Sequence, residues 1–126
     1  MSKTRREPEV IDNSPLVDVK IDEVEYKLTP KRLRDLAGDM LLEELLRVGN
    51  LLGEAESRLV LVDAEYRSFR GVAVKAELDK DPKLSEWKIK ARIEASAEFQ
   101  KFKIGIAKAT REVHVLRETL ATLRLR

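Results

Sequence analysis

The chain contains no cysteine and a single histidine, His114. Disulfides, thiolate metal sites and a cysteine nucleophile are thereby excluded. No group of carboxylates shares a helix face with His114 at metal-ligand spacing. Glu43 and Glu44 are adjacent and diverge around a helix, and Glu54 and Glu56 do the same. The sequence has no glycine-rich phosphate loop and no nucleophile elbow. None of its serines stands in a triad context. The expectation is a protein that is not an enzyme and uses no cofactor and no metal.

Apolar runs are short as well. None approaches the roughly 20 residues of a membrane span. The opening Met1-Ser2-Lys3-Thr4-Arg5-Arg6-Glu7 leads into no apolar segment of a secretion signal. The expected location is the cytoplasm, with no membrane partner. Aromatics are scarce at 5%, whereas charged residues reach 38%. That balance suits long helices with charged outer faces better than a compact aromatic-rich core. The net charge of +2 selects no partner, so only its distribution is informative.

What is present is period. Residues 1–15 are polar and carry Pro8 and Pro15, which reads as a flexible tail. Residues 16–28 alternate: Val17, Val19 and Ile21, then Val24, Tyr26 and Leu28, with Asp22-Glu23 between them. This is the pattern of a small β-hairpin. It lacks the Asn-Gly or Asp-Gly turn, so an irregular extended arm competes with it. Thr29-Pro30 then opens a helix, as a hydroxyl cap followed by proline at the first helical position.

From there the spacing alternates between four and three. Leu41, Leu45, Val48, Leu52, Ala55, Leu59, Val62, Tyr66, Phe69, Ala73 and Ala76 are all apolar. A heptad seam of that length predicts a rod about 50 Å long. Asp81-Pro82 ends it, because proline cannot continue a helix. A second seam runs through Phe99, Phe102, Ile106, Ala109, Val113, Leu116, Leu120 and Leu123. Extended upstream, its register would bury Lys88 and Arg92, whereas the apolar residues there are Trp87, Ile89 and Ile93. The register must therefore shift around residues 93–99. The expected fold is all-α: a long antiparallel, coiled-coil-like hairpin over residues 29–126, with helix one about 30–77 and helix two about 83–125.

The first helix has more apolar surface than one partner covers. Leu42, Leu46, Val60 and Val74 flank its seam, and Leu51, Leu61 and Val72 point elsewhere. Gly49 and Gly53 share a face, where they either let another helix approach closely or mark a kink. We expect homo-oligomerisation through Leu42, Leu46, Gly49, Gly53, Val60 and Val74. The competing arrangement is that the N-terminal segment folds back as a cover.

Charge is unevenly placed. Between Lys83 and Arg111 there are eight basic side chains against three acidic ones. Lys88, Lys90, Arg92, Lys101, Lys103, Lys108 and Arg111 are the candidate phosphate contacts. Such contacts bind single strands without reading sequence and weaken as salt rises. Trp87 and Phe69 offer stacking surfaces for unpaired bases, although core packing competes for both, and a basic helix exterior is also the ordinary solvated face.

Two segments carry a resemblance: Ala64-Glu65-Tyr66-Arg67-Ser68-Phe69-Arg70-Gly71, and Lys83-Leu84-Ser85-Glu86-Trp87-Lys88 continuing to Phe99 and the C-terminal seam. On them, the region from Arg58 to Arg126 resembles the recombination mediators of tailed phages, the UvsY-like family. The resemblance does not extend to residues 1–30. The resemblance implies a helical homo-oligomer without cofactor that binds single-stranded DNA. It further implies help in loading a RecA-like recombinase onto strands coated by single-stranded-DNA-binding protein, in the host cytoplasm if phage-encoded. The rival expectation is an oligomeric coiled-coil adaptor, chaperone or small virion protein with no nucleic-acid role.

Overall fold

The computed structural model describes residues 12–126, so the expected tail lies largely outside the described residues. Two strands, β1 (Val17–Ile21) and β2 (Val24–Leu28), are followed by four helices: α1 (Pro30–Asp35), α2 (Gly38–Lys80), α3 (Glu86–Glu94) and α4 (Ala97–Arg124).

The alternating segment is a hairpin, not an irregular arm. β1 and β2 pair antiparallel, with Val17 opposite Leu28 and Ile21 opposite Val24. Asp22 takes the turn at φ 56°, a left-handed conformation that aspartate tolerates better than most residues. Its carboxylate pairs with Arg58 of α2, which pins the turn to the long helix. Period two places Val17 and Ile21 of β1 and Tyr26 and Leu28 of β2 on one buried face.

α2 and α4 form the antiparallel pair. Phe69 of α2 meets Phe102 near the start of α4, with ring centroids 5.0 Å apart. At the other end Leu45 and Leu120 pack on one core cluster. The β-hairpin lies over that end. Ile21, Tyr26, Leu28 and Leu36 join Val48, Leu51, Ala55, Val113, Leu116 and Leu123 in a single core. The N-terminal segment therefore does cover part of the surplus apolar surface. Leu51, off the seam, is buried beneath it, a gain of about 1.5–3 kcal/mol over leaving such a side chain in water.

Neither long helix is continuous, which corrects both expected spans. The first breaks after Asp35: Leu36 and Ala37 are extended and Gly38 has φ +57°. The break turns α1 across the end of the pair and buries Leu36. α1 is itself opened as expected, with the Thr29 hydroxyl accepting from the Arg32 N–H at 3.1 Å. The second breaks at Ala95-Ser96. The Ser96 hydroxyl caps α4 by accepting from the Phe99 N–H at 3.2 Å. This break is how the register conflict is resolved. It turns Ile89 and Ile93 of α3 inward against Tyr66, Phe69 and Val74 and leaves Lys88 and Arg92 exposed. A single straight helix would have buried those two cations instead.

Candidate nucleic-acid interface

All seven candidate basic residues are exposed, on α3 (Lys88, Lys90, Arg92) and α4 (Lys101, Lys103, Lys108, Arg111). Their partners differ. Arg92 reaches Glu77 of α2 at 3.0 Å, and Lys90 lies 3.9 Å from Glu94 one turn along. Among the described residues, Lys88, Lys101, Lys103, Lys108 and Arg111 form no ion pair within 4.0 Å.

Nor do they all share one surface. Lys101, Lys108 and Arg111 recur with the helical period and form one row, with the exposed Ile104 in line. Lys103 is two residues from Lys101, roughly 200° around the helix. Its ammonium stands 5.6 Å from the Phe99 ring centroid and 5.8 Å from that of Tyr66. That is cation–π distance, and it holds Lys103 on the flank towards α2.

The row gains a member that the sequence pattern did not single out. Lys20, an outward residue of β1, lines a groove of about 160 Å³ with Lys108 and Arg111. Nothing local marks it, because strand pairing and helix packing together bring it there. The same groove holds Asp18 and Glu112. Glu112 is 7% exposed, and its Oε1 has no hydrogen-bond partner among the described residues.

The two aromatic candidates separate. Phe69 is half-buried and packs against Phe102, so it belongs to the core. Trp87 is 69% exposed, because Ile89 and Ile93 take the inward positions of α3. It lines a groove of about 430 Å³ with Arg70, Glu86 and Lys90, backed by Val74 and Ile89. His114 is exposed, as its outer register position requires.

Of the six expected interface residues, Leu42, Leu46 and Val60 are exposed, and Gly53 is as well. A Cβ added at Gly49 or Gly53 would meet nothing within 4 Å. Val74 departs from the expectation: it is half-buried in the chain's own second cluster, where the inward turn of α3 covers it. Among the described residues, no group of three or more His, Asp or Glu side chains is placed to hold a metal ion. No described helix is long and apolar enough to cross a membrane. Comparison with protein-family models, with curated proteins and with solved structures returned no match.

Proposed function

We propose that the protein is a self-assembling helical hairpin that binds single-stranded DNA without sequence specificity and acts as a recombination mediator for a RecA-like recombinase. The DNA-binding part rests chiefly on one observation. The row formed by Lys101, Lys108 and Arg111, with Lys20 beside it, is exposed and lacks acidic partners within ion-pair distance among the described residues. Cations whose charge is not already matched are the ones that release counterions from a phosphate backbone. Repetition of the row in an assembly would add many weak contacts into useful avidity. The mediator role itself comes from the sequence resemblance of residues 58–126.

A second reading, the oligomeric adaptor without a nucleic-acid role, is favoured by the outer face of α2. Leu46 there is 62% and Val60 70% exposed, apolar side chains that a protein partner would cover.

Fluorescence anisotropy of a labelled single-stranded oligonucleotide, at low and moderate salt with duplex as competitor, separates the two. Salt-sensitive binding that prefers the single strand is the expected result. No binding at low salt leaves the adaptor reading in its place.

A further inference from the structure

The groove between β1 and α4 holds an acid without a partner beside cations that have none either. Glu112 follows Arg111 on α4 and stands one turn beyond Lys108. β1 packs against this part of the helix, and Glu112 is 7% exposed. Its Oε1 is shut from water and has no hydrogen-bond partner among the described residues, a state that is costly for a carboxylate. Yet Lys20, Lys108 and Arg111 line the same groove. Among the described residues, none of them forms an ion pair within 4.0 Å. Asp18 of β1 adds a second acid to the lining. The groove measures about 160 Å³, several times the roughly 30 Å³ that one water takes up in the liquid. It has room for a ring system and not only for a bridging water.

The mixture of charges narrows what fits. A simple anion is drawn to the cations but repelled by Asp18 and Glu112, and a metal ion meets the converse. A nucleotide carries both halves. Its phosphate suits the cations, and the N–H groups of its neutral base suit a carboxylate, which only accepts. We infer that the groove takes one unstacked base of a single strand, with Glu112 accepting from its Watson–Crick edge and Lys20, Lys108 and Arg111 on the flanking phosphates. Extruded bases are read through that edge in other proteins. The last torsion of glutamate is broad, so rotation turns either oxygen to the groove. Guanine matches best, because its N1–H and 2-amino group are adjacent donors for the two oxygens of one carboxylate. Cytosine and adenine set a ring-nitrogen acceptor beside their amino group, and thymine offers one N–H between two carbonyls. The inference rests on the DNA-binding part of the proposed function and adds to it a preference for base composition, not for base order.

The test displaces a labelled oligothymidylate from the full chain with unlabelled strands of equal length, followed by anisotropy. One competitor is all thymine, one carries isolated guanines, and one carries hypoxanthine, which lacks the 2-amino group, in place of guanine. The guanine strand should bind at least about fivefold more tightly than the thymine strand, the low end for a bidentate base contact, with the hypoxanthine strand between them. Glu112→Gln keeps the size of the side chain and should abolish that ratio, with helix content and thermal midpoint maintained. Lys20→Ala should weaken every strand and leave the ratio as it was. Equal affinities in the unmodified protein, the result for a carboxylate merely bridged by water, overturn the base site while DNA binding stands. A ratio that survives Glu112→Gln overturns it too. If no strand binds at low salt, nuclear magnetic resonance of the protein titrated with guanosine monophosphate decides. Shifts of the Glu112 amide that thymidine monophosphate does not cause keep the groove as a nucleotide site and remove only the strand reading, whereas no shift removes both.

Discussion

The Tyr26 hydroxyl donates to Glu44 Oε2 at 2.8 Å, across a buried boundary between the β-hairpin and the long helix. Arg32 of α1 stands 3.8 Å from the other oxygen of the same carboxylate. Three elements thus converge on one acid that lies almost wholly out of water. A buried carboxylate is tolerated only with such partners, so the pair holds the hairpin on the helices as well as filling space.

Tyr26→Phe is therefore expected to lower stability by about 1.5–3 kcal/mol, the range for a hydrogen bond to a charged group. Urea denaturation should show a lower midpoint at unchanged slope. The effect has a pH signature. Burial, then the Glu44 hydrogen bond and charge, raise the Tyr26 hydroxyl above its ordinary value of 10.0. A raised value means that the folded state holds the proton more tightly. The stabilisation is whole below pH 10.0 and fades as pH rises beyond it. The stability gap between wild type and Tyr26→Phe should narrow over that alkaline range.

Two glycine substitutions should act in opposite directions. Gly38 sits at φ +57° at the start of α2, where an L side chain is strained, so Gly38→Ala is expected to destabilise by about 1–2 kcal/mol. Gly71 lies in the interior of α2 with open space where a Cβ would go. Gly71→Ala should stabilise by about 1 kcal/mol. Thermal or chemical denaturation of both variants checks the pair.

Among the basic residues, partners rather than number should decide the effect on DNA. Alanine at Lys101, Lys108 and Arg111 together is expected to reduce the dependence of log affinity on log salt by about 2, at roughly 0.7 per phosphate contact. Alanine at Lys90 and Arg92, whose charges face Glu94 and Glu77, should change it less. Anisotropy titrations at several salt concentrations measure both. Equal slopes for the two variants would remove the row from the interface.

Trp87 is the sole tryptophan, and its exposure makes it a direct reporter. If bases stack on it, a single-stranded oligonucleotide should quench its emission while an abasic strand of the same length does not. Trp87→Ala should then weaken binding by about 1–3 kcal/mol. Equal effects of both strands would show contact through the backbone alone.

Some features were legible along the chain because they depend on near neighbours. Val48, Ala55, Val113, Leu116 and Leu123 are buried, as spacings of three and four require of a helical seam. The register conflict at Lys88 and Arg92 located the second break. Its form, a serine cap, was within reach too, since Ser96 stands three residues before Phe99. Gly38 marked the first break, but a lone glycine near a helix start carries little weight against continuous apolar period.

The sequence by itself determined the helical pair, its antiparallel sense and the surplus apolar face of α2, because each follows from period and from a proline between two seams. Only the tertiary structure decided how that surplus is divided. Leu51 is buried under a hairpin whose packing depends on Tyr26 meeting Glu44, eighteen residues away. Val74 is covered by α3 once the chain breaks at Ser96. Leu42, Leu46 and Val60 stay outside, and Lys20 joins Lys108 and Arg111 across a strand–helix boundary. Such contacts join residues distant along the chain, and local period carries no term for them.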